Sequence, residues 1–261
     1  MTPMSRQVLK ALENVGIESG DTIFVHADAT TAIASGNIFR TRETLKELTD
    51  CFVGTIGPKG NFIVPTFNYD FCKGKPYSHE KTPSQVGLLS NYVLRDKRAI
   101  RSFHPIYSVA AIGPRAEEMT SGLSKSSFGE GSIFHRLHQH NVKLVCFNVS
   151  FYFCTFIHYV EQKIGIDYRF MKNFTGTVSV GGKEYIDTFD FYARYLDRTI
   201  VLDMTRLEKE LVADARMKKN SESSGHPVLQ VKSRDVFEEA VKRVKLEPYY
   251  LLKNPPVIPK A

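Results

Sequence analysis

The sequence predicts an α/β fold: a mainly parallel sheet with helices on both faces, and an antiparallel β-rich region packed onto it. Three observations predict it. Up to about residue 165, short apolar β-branched runs alternate with stretches of helical periodicity, the pattern of a parallel sheet with helical crossovers. Beyond Glu161 the character changes, and two strand-like runs flank a Gly181-Gly182 turn. Between these regions, Lys143 to Glu161 joins a buried strand directly to a helix start, the kind of junction where open α/β sheets hold ligands.

The elements follow in chain order. Val8, Leu9, Leu12 and Val15 mark one face of a first helix, closed by Gly16. Asp21 to Ala27 is a strand, followed by the small polar run Asp28 to Ser35. Thr41 is a good N-cap for a helix through Phe52. Gly57 to Gly60 is a turn, and Asn61 to Val64 is a strand stopped by Pro65. Pro65 to Phe71 is an aromatic loop at a strand end. Ser84 opens a helix with Val86, Leu89 and Val93 facing inward, and Tyr107 to Ile112 is a strand. Ser132 to His140 is a short helix, and Leu144 to Val149 the central strand. Thr177 to Val180 and Glu184 to Phe189 form the hairpin. Arg206 to Lys218 is a charged helix, Val228 to Val231 a strand, Asp235 to Leu246 an amphipathic helix, and Asn254 to Ala261 a proline-rich tail.

A chain of 261 residues, 42% hydrophobic, can bury a sizeable core. It reads as a single domain over 1–261, with a β-rich subdomain at about 166–232. No apolar run approaches a membrane span, and the first twenty residues read as an amphipathic helix, not a signal peptide. Cys51, Cys72, Cys146 and Cys154 show no paired metal spacing and sit in apolar surroundings, which points to reduced thiols, no metal and a cytoplasmic protein. The net charge of +7 suits an anionic ligand such as a phosphate ester. Nucleic acid is the rival reading, but no basic run carries interleaved aromatics. Solvated surface lysines are the bland explanation.

The chemistry concentrates at the strand–helix junction. At helical spacing Cys154, His158 and Glu161 fall at i, i+4 and i+7 and share a face. A carboxylate one turn from an imidazole can fix its tautomer and raise its basicity, which makes His158 a candidate general base. A buried histidine bonded to a carbonyl is the other reading. Cys154 can form a thiolate–imidazole pair with His158, or simply pack between Phe153 and Phe156. In the loop Arg101 to Pro105, Arg101 can hold an anion and Ser102 can donate a hydrogen bond; a solvated arginine in a turn is the alternative. His135, His138 and His140 crowd one helix without a carboxylate or cysteine partner, and read as a polar face. Phe128 to Ser132 is a glycine loop before a helix, whose N–H groups can take an anion, although glycine pairs are common in loops.

Five motifs then recur in one order: PTFNYDF from Pro65, TPSQVGLLS from Thr82, RSFHPIYSVAAIG from Arg101, SSFGEGSIFHRL from Ser126, and T-x-x-H-Y-x-E from Thr155 to Glu161. Together, over roughly residue 5 to residue 252, they resemble the aminoglycoside N3-acetyltransferase family, antibiotic N-acetyltransferases that are not of the GNAT fold. The resemblance implies a three-layer α/β/α sandwich with an additional antiparallel β-rich region. It also implies transfer of an acyl group, acetyl or a short hydroxyacyl, from coenzyme A to a sugar amine. It maps the catalytic pair onto His158 and Glu161. Acyl-CoA contacts map onto His26, Ala27, Asp28 and Thr30 after the first strand, and onto Arg101, Ser102, His104 and Ser108. Phe67, Tyr69 and Asp70, in the aromatic loop, are the expected acceptor contacts.

The basic balance favours an anionic acceptor over a polycationic drug. The resemblance extends to relatives that acylate nucleotide-linked amino sugars, and implies such an acceptor here, for example a dTDP-amino-dideoxyhexose. An aminoglycoside acceptor, a non-catalytic binding module and a Cys154-dependent ping-pong transferase are the alternatives. Acyl-CoA and the small amino sugar are the expected partners, with no nucleic acid and no membrane; a homodimer is left open.

Overall fold

The computed structural model describes residues 1–34, 40–196, 199–220 and 225–257. Its centre is parallel. Strand β1 (Thr22–Ala27) pairs in parallel with β2 (Asn61–Pro65) on one side and β6 (Lys143–Phe147) on the other. Beyond β2 lie β5 (Val109–Ile112) and β4 (Ile100–Arg101), both antiparallel to their inner neighbour. Beyond β6 lie β10 (Val228–Lys232) and β9 (Met217–Lys219), also antiparallel. Among the described residues the order is β4-β5-β2-β1-β6-β10-β9.

Strand alternation explains the layers. Ile23, Val25, Phe62, Val64, Val145 and Phe147 face one core, while Phe24, Ile63, Leu144 and Cys146 face the other. The first core is closed by α1 (Pro3–Asn14), α2 (Thr30–Ala34), α3 (Thr41–Ile56) and α4 (Leu88–Leu94). The second is closed by α5 (Ala116–Thr120), α6 (Ile133–Gln139), α7 (Ile157–Ile164), α8 (Thr205–Ala213) and α9 (Ser233–Leu246). The three-layer architecture is the one expected.

The second sheet joins β3 (Tyr77–Ser78), β7 (Arg169–Val180) and β8 (Lys183–Arg194). The hairpin is far longer than the expected runs, with twelve residues in each arm. Val178, Phe189 and Tyr192 sink into the same core as α6 and α7. Of the expected β-rich region at 166–232, β7 and β8 lie in the smaller sheet. Residues 228–232 return to the large sheet, because their alternating apolar run adds onto the open edge of β6.

Smaller differences have local causes. The run after β1 holds a short helix, α2, with Ala32 and Ile33 buried; Ser35 lies outside the described residues. The helix expected from Ser84 starts at Leu88 instead. Gly87 takes φ +113°, a backbone conformation that residues with a side chain rarely adopt, and a Cβ there would lie 3.4 Å from the Ala27 carbonyl oxygen at the end of β1. The charged helix stops at Ala213, after which Met217–Lys219 pairs as an edge strand. Of the expected tail, 258–261 lie outside the described residues.

Candidate active site

After β6 the chain passes through a 3-10 turn, Phe151–Phe153, and enters α7 at Ile157. Phe151, Cys154, Phe156 and Ile157 are buried there and anchor the junction in the core. His158 therefore stands in the first turn of α7, with Glu161 one turn on and fully buried. His158 Nδ1 and Glu161 Oε2 are 2.7 Å apart. Two groups from the start of the hairpin complete the cluster. Tyr168 Oη donates to Glu161 Oε1 at 2.9 Å. Arg169 brings its Nε to 2.8 Å from Glu161 Oε2 and its Nη2 to 3.0 Å from His158 Nδ1.

The electrostatics follow from this packing. Burial alone would push the Glu161 carboxyl up, but Arg169, His158 and Tyr168 outweigh it and hold it below the ordinary carboxylate value. Burial, followed by the Arg169 guanidinium, presses His158 below the ordinary imidazole value against the opposing pull of Glu161. The ring is thus neutral at pH 7. Nδ1 stands between the Glu161 carboxylate at 2.7 Å and the Arg169 Nη2 donor at 3.0 Å; the shorter contact, to the carboxylate, is the one that takes an Nδ1 proton, which leaves the lone pair on Nε2 and Arg169 paired with Glu161 instead. The His158 side chain keeps 22% of its surface exposed. It lines a cavity of about 250 Å³ with Tyr152, Glu161, Arg169, Arg194 and Ile200.

A second cavity, of about 420 Å³, opens at the carboxyl end of β1. His26, Ala27 and Asp28 line it, with Phe67, Tyr69 and Gly87 opposite. His26 Nε2 lies 3.2 Å from Thr155 Oγ1, and burial lowers its pKa to about 4, so it too is neutral. The two cavities flank the 3-10 turn: Tyr152 lines the His158 cavity and Phe153 lines the His26 cavity.

The other sequence-predicted residues fall elsewhere. Thr30 starts α2, its N–H donating to Asp28 Oδ1 at 2.8 Å. Asp70 lines neither cavity; its carboxylate holds Lys75 at 3.1 Å and Lys73 at 3.5 Å. Phe67 and Tyr69 belong to the His26 cavity and not to the one at His158.

The loop from Arg101 turns its polar groups onto the protein itself. Arg101 Nη1 donates to the carbonyls of His79 at 2.7 Å and Thr82 at 2.8 Å, while Nε and Nη2 both reach Ser108 Oγ at 3.2 Å. Ser102, His104 and Ser108 are all buried. Ser102 Oγ accepts the Val109 N–H, and His104 Nδ1 accepts those of Ile106 and Tyr107. Ser108 Oγ donates to the Thr66 carbonyl. These residues clamp β4, β5 and two loops together, and their polar atoms point inward instead of toward a phosphate. Arg101→Ala should therefore act on stability, because each orphaned buried acceptor costs about 1–3 kcal/mol. A melting temperature lower by roughly 5 °C or more, with unchanged acyl-CoA affinity, is expected. An unchanged melting point with weakened acyl-CoA binding would restore the anion-binding role.

Cys154 does not share the His158 face. It lies between the 3-10 turn and α7, fully buried, and burial pushes its thiol up to about 12. His138 Nδ1 lies 2.9 Å from Tyr159 Oη, and His135 stands by Glu130. Among the described residues no group of three His, Cys, Asp or Glu could hold a metal, and no helix is long and apolar enough to cross a membrane. In the glycine loop, Ser132 Oγ itself accepts a first-turn N–H of α6, from His135.

Sequence reasoning missed Tyr168, Arg169 and Arg194. Each sits on or beside the hairpin, whose approach to α7 leaves no periodic trace. The one available signal was the pair Tyr168-Arg169 just after Gly165, the glycine that ends α7 with φ +75°.

The family model for aminoglycoside 3-N-acetyltransferase matches residues 34–245. Aminoglycoside N(3)-acetyltransferase III from Salmonella sp is 24% identical over 179 residues, covering 60% of this chain. The match spans 59% of that curated relative's length. Among solved structures, aminoglycoside acetyltransferase AAC(3)-Xa superposes with a TM-score of 0.78 at 16% identity, over 96% of this chain and 94% of that one. AAC-IIIb, solved as a binary complex with CoASH, gives 0.75 at 17% identity over 93% and 96%. AAC-VIa, solved bound to sisomicin, gives 0.75 at 17% over 93% and 97%. At these identities the structures establish a common fold. With the family model spanning most of its length, the chain belongs to the aminoglycoside 3-N-acetyltransferase family.

Proposed function

We propose that the protein is a coenzyme A-dependent N-acyltransferase that acylates the amine of a nucleotide-linked amino sugar, with His158 as general base. The observation that carries this reading is the position of His158, its Nδ1 2.7 Å from the fully buried Glu161 carboxylate and its ring bordering a cavity. The acceptor amine, unprotonated, attacks the thioester carbonyl. As the C–N bond forms, its proton passes to His158 Nε2. The C–S bond then breaks, and the leaving thiolate takes a proton to become free CoA thiol. Glu161 orients the ring and stabilises the imidazolium while it lasts. The family relative solved with CoASH supports the choice of acyl donor. The His26 cavity, bounded by Phe67, Val86 and Phe153, suits an apolar arm.

Charge supports the choice of acceptor. The His158 cavity is lined by two guanidiniums, Arg169 and Arg194, and by one carboxylate, Glu161, already paired with Arg169. Such a lining attracts a diphosphate and repels a polycation. Turnover is expected with a nucleoside-diphosphate amino sugar, falling as salt is raised, and little or none with kanamycin-type drugs. Efficient acetylation of an aminoglycoside with no reaction on nucleotide sugars would reverse the ordering.

The pH profile is a second check. His158 acts only when neutral, and its pKa lies below the ordinary 6.5. On the His158 limb, kcat/KM should be level above about pH 6.5 and fall only on further acidification. A limb centred above pH 7 would show that another group is the base.

A further inference from the structure

Two groups converge on His158 Nδ1: Glu161 Oε2 at 2.7 Å and Arg169 Nη2 at 3.0 Å. One ring nitrogen cannot satisfy both. With a proton it donates to the carboxylate, and without one it accepts from the guanidinium. General-base chemistry at Nε2 needs the first arrangement, which leaves an Nη2 hydrogen aimed at another hydrogen. The rest of the guanidinium is held in place. Nη1 donates to the Tyr192 carbonyl at 3.2 Å, and Nε lies 2.8 Å from Glu161 Oε2. Nη2 is therefore the arm without an acceptor when His158 is set to take a proton. The side chain is only 10% exposed, and a buried donor left unpaired is costly.

There is room for an acceptor beside it. Arg169 and His158 line one cavity, and Arg194 lines the same one. Arg194 Nη1 donates to the Ile200 carbonyl at 2.9 Å, and among the described residues its guanidinium forms no ion pair. The one carboxylate of the lining, Glu161, is already engaged by Arg169, His158 and Tyr168. One guanidinium with a spare N–H arm and a second with an uncompensated charge make the donor set for a phosphate.

We infer that Arg169 and Arg194 form a phosphate subsite in the His158 cavity, and that a phosphate there draws Nη2 away from Nδ1, so that the acceptor itself releases the base that will serve it. Arg169 is then a positioning residue, acting on the reaction through the imidazole. A ligand shifts such an equilibrium only if it binds one arrangement better than the other. A phosphate meets that condition, because Nη2 reaches it only when turned off the ring. The inference rests on the anionic-acceptor reading above, and assigns the subsite to a phosphate carried by the amino sugar. The phosphates of acyl-CoA share this chemistry, and kinetics separate the two sources.

The test uses Arg194→Gln and Arg169→Lys, the second keeping a positive charge beside Glu161 so that the fold is retained. The first readout needs no turnover. In protein labelled with ¹⁵N-histidine, the His158 Nδ1–H signal, identified by its loss in His158→Ala, is followed while inorganic pyrophosphate is added. In the wild type it should move downfield and saturate. Arg194→Gln should reach the same end point at pyrophosphate concentrations at least tenfold higher, about 1.4 kcal/mol of binding. Arg169→Lys should show no movement, because the arm that leaves Nδ1 is gone. The second readout is KM. In Arg194→Gln it should rise at least tenfold for a nucleoside-diphosphate amino sugar, with a smaller change in kcat and none in KM for acetyl-CoA. A wild-type signal that ignores pyrophosphate overturns the inference, as do equal titrations in all three proteins or a KM rise confined to acetyl-CoA. The expected pyrophosphate response without turnover of any nucleotide sugar would sink the acceptor reading and leave the subsite standing. Turnover of nucleotide sugars that both variants leave untouched would do the opposite.

Discussion

His158→Ala should lower kcat by roughly 10²–10⁴-fold, the usual loss when a general base is removed. The fold should survive, because the ring is partly exposed and the anchoring of α7 comes from its buried neighbours Phe156, Ile157 and Val160. Acyl-CoA affinity should be nearly unchanged, which separates loss of the base from loss of the site. The parallel variant Cys154→Ser should keep most of the activity. Its thiol is buried with a pKa near 12, so it supplies almost no thiolate at neutral pH. A near-normal kcat in His158→Ala would end the proposed mechanism. A folded, acyl-CoA-binding but inactive Cys154→Ser would instead support a covalent route.

Glu161→Gln should be the most destabilising conservative change at the site. The carboxylate accepts from His158 and Tyr168 and balances Arg169, using both oxygens in a fully buried position. An amide has one accepting oxygen and no charge. It leaves the Arg169 guanidinium, 10% exposed, without its counter-ion. Removing one partner of a buried pair costs about 3–5 kcal/mol. For a chain of this size that corresponds to a drop in melting temperature of roughly 6–20 °C. Activity should fall less than in His158→Ala, since the amide oxygen can still take the Nδ1 proton. Pairing Glu161→Gln with Arg169→Met should recover part of the lost stability, because the orphaned charge goes with it. A melting point unchanged in the single variant would show that the cluster is not a coupled pair.

What could be read in the sequence divides along the reach of the interactions. The β6–α7 junction was legible because both of its signals are local: an apolar run long enough for a strand, and a histidine and carboxylate one turn apart. The expected layers follow from period-two alternation within single strands. Cys154 was misplaced by running the helical period of α7 backward through Phe151–Phe153, where a 3-10 turn breaks it. Arg101 was read from its residue type as an anion ligand. Its actual partners, the carbonyls of His79 and Thr82, lie about twenty residues away and have no signature in composition. Tyr168 and Arg169 were invisible for the same reason. Their contacts with Glu161 depend on the hairpin folding back onto α7, and the irregular burial along β7 hides even the length of that strand.

The central claim is that this chain moves an acyl group from coenzyme A to an amine without a covalent enzyme intermediate. The most direct measurement is release of free CoA thiol from acetyl-CoA, followed with and without a nucleoside-diphosphate amino sugar. The account predicts thiol release only when both are present, one thiol for each amide formed, and near-abolition of that release in His158→Ala. Thiol release that never depends on the acceptor, or a stoichiometric burst of thiol before any amine is added, would contradict it.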